Sequence, residues 1–324
     1  MRAAICRSYG PPDVVQVDEL AAPTPATGQV RVRVAAAAVN FPDVLLVADT
    51  YQMSVDPPFV PGSEFAGVIE AAADNAGGLA VGDRVFGTAL VGAFAEQIAV
   101  PSQSVTRIPD GVSDADAAAF GVAHRTAYNV LHSVARLEPG EELVVLGAGG
   151  GVGLATVQLG ALLGASVTAV ASSSEKLDVA ASQGAKTLVN HRSGDVRQAL
   201  RDAHPDGVDV VVDPVGGDLA EPALRALRWG GRFVTVGYAS GAIPRIPLNL
   251  VLLKGIQIVG FQFLSFATHA PEDLQRNEAE LMELLASGRI VPYIGARFTL
   301  DDVVAAMQYV ADGKAIGKVV LEVR

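Results

Sequence analysis

The stretch that decides the fold is LVVLGAGGGVGL, residues 143–154. Its apolar start predicts a short buried strand, and the pattern that follows the glycines, 152–163, predicts a helix. Between them, Ala148, Gly150 and Gly153 give the spacing Ala-x-Gly-x-x-Gly. A glycine at 150 lets the backbone approach a pyrophosphate, and one at 153 lets the helix pack tightly on its strand.

The start of this helix is a predicted anion site, because its first N–H groups have no partner within the helix. Gly151 and Val152 complete the predicted cofactor cradle there. An empty doubly wound domain with a glycine-rich turn is the alternative interpretation of the same residues.

Apolar strands alternate with helices after this turn. The strands are predicted at 143–146, 166–171, 187–189, 208–213, 232–237 and 256–261. Strands that are apolar throughout, each followed by a helix, predict a parallel sheet covered on both faces. The fold class is therefore α/β, with a doubly wound (Rossmann) domain. Gly164 is expected to end the first helix as its C′ residue.

The rest of the chain has a different pattern. The first 110 residues are rich in Pro and Gly and carry short β-like runs, which predicts a compact, mostly β domain. Two amphipathic helices and a strand, 318–323, follow residue 266 and are expected to pack back on that domain. The predicted division is a discontinuous catalytic domain, 1–118 with 266–324, and a dinucleotide-binding domain, 119–265.

Composition excludes several classes of partner. The net charge of −11 and the pI of about 4.9 argue against nucleic acid and against an anionic membrane surface. The single cysteine, Cys6, excludes an intramolecular disulfide and a Cys-rich zinc lobe. No apolar run is long enough to span a membrane and no signal-peptide pattern is present, so we expect a cytoplasmic protein.

The second predicted strand indicates which dinucleotide binds. An NAD site places a carboxylate at the end of that strand to accept from the ribose 2′-OH. Here the strand ends at Ala171, and Ser172, Ser173 and Lys176 follow, which suit a 2′-phosphate. This favours NADPH over NADH. The spacing of Ser172 and Glu175 also fits a helix cap, and both roles can hold together.

Several stretches resemble one known family over the whole chain. They are 39–46, 58–71, 81–87, 92–101, 124–131, the glycine turn, 210–217, 230–241 and 317–323. The chain resembles the medium-chain dehydrogenase/reductase superfamily and, within it, the zinc-free NADPH:quinone oxidoreductases. The resemblance implies a GroES-like catalytic domain and hydride transfer from NADPH to a quinone or similar activated acceptor.

The metal ligands of the zinc-dependent relatives are replaced. Alcohol-dehydrogenase members carry a Cys near the start of the 39–46 segment and a Gly-His-Glu after the next strand. This chain has Asn40 and Gly62-Ser63-Glu64 there, and its five histidines are scattered. A catalytic zinc site needs about three ligands of His, Cys or carboxylate type, so no metal site is expected.

The resemblance places two candidate catalytic residues near the nicotinamide and the acceptor. Asn40 is expected to donate to a developing oxyanion, and Tyr51 to orient the substrate or relay a proton. A turn role for Asn40 and loop packing for Tyr51 are the alternatives. Asp43 is interpreted as a helix cap.

The resemblance also implies further cofactor contacts. They are Thr126, His191, Val215, Gly237, Tyr238, Ser240, Phe261 and Lys318. His191 stands where relatives often have a tyrosine. For Thr126 the alternative is a buried helix position, and for Tyr238 and Ser240 it is an ordinary strand-end turn. For Phe261 it is an apolar sheet position, and for Lys318 a solvated lysine.

The leading hypothesis is an NADPH-dependent quinone reductase. An enoyl-thioester or alkenal reductase is the nearest alternative, and a dinucleotide-binding protein without turnover is the second. The strand 256–261 ends the series and is expected to be a sheet edge, which needs pairing or cover. We therefore expect a homodimer joined through this edge.

Overall fold

The structure is a computed structural model that describes residues 1–323. It contains two compact units. Unit 1 comprises Met1–Val122 and the described residues from Leu285 onward, and unit 2 comprises Ala123–Leu284.

The strands and helices follow the chain in this order. The strands are β1 (Arg2–Cys6), β2 (Val15–Glu19), β3 (Gln29–Val39), β4 (Glu64–Ala72), β5 (Arg84–Thr88), β6 (Gln97–Pro101), β7 (Val105–Arg107), β8 (Glu142–Leu146), β9 (Ser166–Ala171), β10 (Thr187–Asn190), β11 (Val208–Asp213), β12 (Leu227–Thr235), β13 (Gln257–Gly260), β14 (Ile294–Thr299) and β15 (Lys318–Glu322). The helices are α1 (Phe41–Val47), α2 (Asp114–Asn129), α3 (Gly151–Leu162), α4 (Ser174–Ser182), α5 (Val196–Ala203), α6 (Ala220–Ala226), α7 (Leu248–Lys254), α8 (Phe263–His269), α9 (Pro271–Ala286) and α10 (Val303–Ala311).

Unit 2 is built on a six-stranded parallel sheet with the order β10-β9-β8-β11-β12-β13. The central strands β8 and β11 are almost entirely buried, which agrees with their mainly apolar sequences and with cover on both faces. The strand order reverses between β8 and β11, and the glycine turn follows β8. The doubly wound fold predicted from the sequence is confirmed.

The end of α3 has the predicted cap. Leu163 is the C-cap residue, and Gly164 follows it with φ +89°, the left-handed conformation that glycine adopts without strain. The Gly164 N–H donates to the Ala161 carbonyl oxygen at 3.1 Å, so the helix stops there. The sheet edge is also where the sequence placed it, since β13 is the outermost strand on its side.

Unit 1 is mostly β. Its larger sheet has the order β14-β15-β3-β4-β5-β7, with β6 also paired to β3, and β1 pairs with β2 in a separate ribbon. Phe65, Ile69 and Phe94 are buried in its core. β15 pairs antiparallel with β3, with Val319 opposite Val39. This pairing holds the end of the chain in the sheet that the first hundred residues build.

Helix α9 differs from the expectation for residues 266–284, which the sequence assigned to the discontinuous domain. These residues lie in unit 2. The fully buried Asn277 amide donates to Asn129 Oδ1 and to Ser133 Oγ, both at 2.8 Å. Arg125 Nε donates to Glu278 Oε1 at 2.8 Å. These polar contacts join α9 to α2 and the π-helical turn after it; the domain boundaries as functional units stay a prediction.

Among residues 1–323, no helix combines the length and apolarity needed to cross a membrane. The cytoplasmic location stays a prediction of the sequence.

We expect Gly153→Ala to lower the free energy of unfolding by about 1–3 kcal/mol, as overpacking does. A Cβ at this position would overlap the carbonyl group of Gly147, which is backbone and has no freedom to move aside. Urea unfolding of the variant beside wild type measures the difference.

Gly150→Ala is the matched control. A Cβ there meets only the Gly147 carbonyl oxygen, at 3.5 Å, and the backbone of Gly150 is extended, which any residue adopts. The variant should lose less than about 1 kcal/mol, the range of N-cap changes. Equal unfolding midpoints for the two variants would contradict the close approach of α3 to the turn.

Candidate functional site

The glycine turn forms an open helix N-terminus. Gly147 follows β8 with φ +61°, and the Gly150 N–H donates back to its carbonyl oxygen at 2.9 Å. Gly150 is the N-cap of α3, and the side on which a Cβ would stand is open except for that oxygen. The stem of Lys176 lies against Gly149, where a Cβ would meet the Lys176 Cβ, Cγ and Cδ at 2.6–2.8 Å. An open helix N-terminus of this kind fits a diphosphate.

The end of β9 carries the predicted hydroxyls. Ser172 and Ser173 are both half-buried. The N-cap of α4 is Ser173, whose hydroxyl accepts from the Lys176 N–H at 3.3 Å. The helix cap that the Ser172–Glu175 spacing suggested is therefore formed one residue later. Ser172 is left outside the helix at the strand end.

Three basic side chains, Lys176, His191 and Arg192, share the region beside this strand end. His191 follows β10, and its N–H donates to the Ala171 carbonyl oxygen at 3.1 Å. Burial, and then the charge of Arg192, lowers the pKa of Lys176 below its usual value. Burial also lowers the pKa of His191, with Arg192 and Lys176 adding to the effect. A phosphate monoester here would stabilise the positive charges of Lys176 and Arg192 and would raise the pKa of His191, so the residues present fit a 2′-phosphate better than a 2′-hydroxyl.

A third part of the cradle lies at the ends of β11 and β12. Val215, Gly237, Tyr238 and Ser240 come together there: the Ser240 N–H donates to the Val215 carbonyl oxygen at 2.9 Å, and Tyr238 is 40% exposed. The structure thus groups four of the predicted contacts. Their roles toward a cofactor stay predictions.

Asp213, the last residue of β11, is a member of this region that the sequence analysis missed. Its side chain is fully buried, and Oδ1 accepts from the N–H groups of Val215 and Gly216 at 2.8 Å each. Its Oδ2 has no hydrogen-bond partner in the described structure. The signal was available: a carboxylate ends an otherwise apolar strand in VVVDPVGG.

Three other predicted cofactor residues make contacts elsewhere and not with the group at the ends of β11 and β12: Phe261, Thr126 and Lys318. Phe261 is 8% exposed and packs against Phe263 and Phe266, as an apolar sheet-end residue does. Thr126 is buried in α2. Lys318 belongs to unit 1.

In unit 1, Asn40, Ser63, Glu64 and Lys318 form a buried polar group, here called the Asn40 cluster. Lys318 Nζ donates to Asn40 Oδ1 at 2.6 Å and is ion-paired with Glu64 Oε1. Asn40 Nδ2 donates to Glu64 Oε1 at 3.0 Å and to Ser63 Oγ at 3.3 Å. Lys318 is only 3% exposed, so the alternative of a solvated lysine is wrong, and its contact with a cofactor stays a prediction.

Strand pairing explains why these residues meet. β3 lies between β15 and β4, with Val319 opposite Val39 and Glu64 opposite Ala38. The other oxygen of Glu64, Oε2, accepts from the Val122 N–H at 2.6 Å. Each polar atom of the Asn40 amide is therefore engaged within the cluster, and an oxyanion-donor role for Asn40 stays a prediction that requires one of these bonds to open.

Asp43 combines two roles. Its Oδ2 accepts from the Asn40 N–H at 2.7 Å at the start of α1, as a helix cap does. The carboxyl is completely buried and Oδ1 has no partner in the described structure. Burial raises the pKa of Asp43 to about 7, opposed by bonds from Asn40 and Ser63. Burial, and next the Asp43 charge, raises the pKa of Tyr51.

Among residues 1–323, no group of three or more His, Cys, Asp or Glu side chains is placed to hold a metal ion. The cation that Glu64 binds is the Lys318 ammonium.

Lys318→Met should lower the free energy of unfolding by about 3–5 kcal/mol, because it leaves the Glu64 carboxylate buried without a cation. Lys314→Met is the control, since the Lys314–Asp312 pair is exposed and such pairs contribute at most about 1 kcal/mol. Urea denaturation measures both. In the double variant Glu64→Gln/Lys318→Met the loss should be smaller than in Lys318→Met alone, and strictly additive losses would refute the coupling.

Asp43→Asn should gain stability relative to wild type as the pH rises. The folded-state pKa of about 7 exceeds the unfolded value of about 3.8, so the folded protein holds a proton that the unfolded chain releases, and wild-type stability falls across that window. Between pH 5 and pH 8, the free energy of unfolding of the variant minus that of wild type should increase by about 3 kcal/mol.

The pH series is measured by urea unfolding beside Asp312→Asn, which removes an exposed carboxyl whose pKa lies below its usual range. That control should not gain stability with pH. Parallel stability curves for wild type and Asp43→Asn would show that Asp43 is ionised at pH 5.

Known proteins resemble the chain over its full length. The family model described as alcohol dehydrogenase GroES-like domain matches residues 26–110, and that described as zinc-binding dehydrogenase matches residues 151–286. Mouse quinone oxidoreductase-like protein 2 is 36% identical, over 100% of this chain and 92% of its own. Human quinone oxidoreductase is 31% identical, over 99% and 97%. The crystal structure of Escherichia coli quinone oxidoreductase complexed with NADPH has a TM-score of 0.93 at 26% identity and covers 100% of both chains.

Proposed function

The chain belongs to the quinone oxidoreductase family of the medium-chain dehydrogenase/reductase superfamily, and we propose that it is an NADPH-dependent reductase of quinones or similarly activated acceptors that works without a metal. That the chain is an NAD(P)H-dependent oxidoreductase follows from its relatives. One observation carries the finer proposal: Asn40, at a position where zinc-dependent relatives have a ligand, is hydrogen-bonded to the ammonium of Lys318.

The choice of NADPH is supported by the basic side chains beside the glycine turn. Lys176, His191 and Arg192 would hold the 2′-phosphate, and the N-terminus of α3 would hold the diphosphate. The E. coli relative was solved with NADPH. When bound, the nicotinamide supplies a hydride, which a quinone accepts without a Lewis acid because it is already electron-poor.

The proton that must accompany the hydride is proposed to pass through Tyr51. Asp43 is the nearby titratable group, and its pKa of about 7 keeps a proton available near neutral pH. The same arrangement supports the second candidate, reduction of the double bond of an enone or enoyl thioester, because protonation at carbon needs a firm proton donor.

Steady-state oxidation of NADPH with 1,4-benzoquinone, beside crotonyl-CoA and an enone, tests the function. Turnover with benzoquinone, faster with NADPH than with NADH, is expected, in enzyme that contains less than stoichiometric zinc by elemental analysis. Turnover only with the thioester or enone would reject the quinone assignment in favour of the second candidate. NADPH binding without turnover of any of these acceptors would indicate a dinucleotide-binding protein that does not catalyse the reaction.

Lys176→Gln should raise the KM for NADPH about tenfold or more and leave the KM for NADH within about twofold, since one charged hydrogen bond to phosphate contributes roughly 1.5–3 kcal/mol. The control is Lys186→Gln, which removes an exposed lysine in the same unit. Equal effects on both coenzymes would show that Lys176 does not read the 2′-phosphate.

A homodimer through the edge of β13 is proposed as well. Ile258 on this strand is 41% exposed, and the neighbouring apolar side chains Trp229, Leu248, Leu252 and Leu253 are each more than 70% exposed. An edge strand beside so much apolar surface favours pairing with a second copy. Sedimentation equilibrium at micromolar concentration should give twice the chain mass of 33.4 kDa. A single-chain mass would contradict the pairing.

A further inference from the structure

Unit 2 has a cavity of about 440 Å³ that the proposed function does not use. Its lining comes from α5 and α7, from the end of α6 and from the residues that lead into β11 and β12. In a parallel sheet the segments that lead into the strands lie at the opposite end of the sheet from the glycine turn, which follows β8. The cavity is therefore separate from the dinucleotide cradle.

Five cationic side chains line this cavity, here called the basic pocket: Arg197, Arg201, Arg225, Arg228 and Lys254. Arg225 is paired with Glu221 and Arg228 with Asp209. Asp206 is the carboxylate among the lining residues. The positive charges of the lining still exceed these three carboxylates by two, in a protein whose net charge is −11.

Among the described residues, three cations of the basic pocket have no carboxylate partner: Arg197, Arg201 and Lys254. Arg197 and Arg201 are one helical turn apart on α5, and both are exposed. Like charges at this spacing destabilise a helix slightly. Lys254 Nζ donates to the Arg225 carbonyl oxygen at 2.5 Å, while burial and the charge of Arg225 lower its pKa. An anion in the pocket would stabilise all three.

Helix dipoles explain only part of this arrangement. Arg201, Arg225 and Lys254 each stand in the last turn of a helix, where a cation is favourable. That effect does not account for Arg197, in the first turn of α5, or for Arg228 at the start of β12. Nor does it require that the five side chains line one cavity.

Part of the lining of the pocket is apolar. Leu227 and Leu250 are buried and line it. Its volume lies within the usual range of small-molecule sites. Arginine forks match the oxygens of a phosphate group in pairs, and a carbon body can contact the leucines.

We propose that the basic pocket binds a phosphorylated small molecule of nucleotide size, independently of the dinucleotide cradle. The phosphate groups lie among Arg197, Arg201 and Lys254, and the organic part lies on Leu227 and Leu250. This assignment does not depend on the proposed reductase activity.

Isothermal titration of the full-length protein with inorganic pyrophosphate, adenosine 5′-diphosphate and citrate tests the proposal. The protein is first saturated with NADPH, so that the dinucleotide cradle is filled. Saturable 1:1 binding at the pocket is then expected for the two phosphates, tighter for the nucleotide and weaker as salt increases. If pyrophosphate binds and the nucleotide does not, the proposal that the organic part of the ligand lies on Leu227 and Leu250 is rejected. Citrate binding as tight as pyrophosphate would reject phosphate as the recognised chemistry.

Variants locate the binding. Arg197→Ala/Arg201→Ala should raise the Kd at least tenfold, while Arg289→Ala, which removes another exposed arginine, should change it less than twofold. Lys176→Gln separates the two sites, because it alters the dinucleotide cradle and leaves the basic pocket intact. Binding that survives the double substitution, or that Lys176→Gln abolishes, would overturn the proposal.

Discussion

The contact on which unit 1 depends is the buried ion pair between Lys318 and Glu64. A carboxylate that is 1% exposed is stable as an ion only beside a cation, and that cation comes from a strand 254 residues later in the chain. The pair fixes β15 beside β3 and β3 beside β4. It also means that the Lys318 ammonium contacts both Asn40 Oδ1 and Glu64 Oε1, which is the observation behind the proposal of a reductase that works without a metal.

Charged side chains are distributed differently in unit 2. The central strands of its sheet are mainly apolar, and basic side chains collect at the two ends of the sheet, where the strands begin and end. At the end of the sheet that carries the glycine turn, Lys176, His191 and Arg192 lie beside an open helix N-terminus. The basic pocket lies at the opposite end. An acidic protein that keeps two separate concentrations of positive charge has two places where anions are favoured.

The local features of this molecule were predictable and the distant ones were not. The glycine turn, the cap at Gly164 and the outer position of β13 follow from short patterns, in which each residue constrains its neighbours. The burial of Lys318 depends on a partner far away in sequence. The same is true of Asn277, whose contacts place α9 in unit 2. Asp43 was identified as a cap, but its complete burial is a property of the packed core and not of the segment VNFPD.

The one tryptophan of the chain, Trp229, has a further consequence. It is 80% exposed on β12, the strand next to the sheet edge, and its ring lies over Gly255, where a Cβ would approach the indole nitrogen to 2.9 Å. All indole fluorescence of the protein therefore has a single, water-facing source. A blue shift of that emission on concentrating the protein would report directly that this apolar surface has become covered.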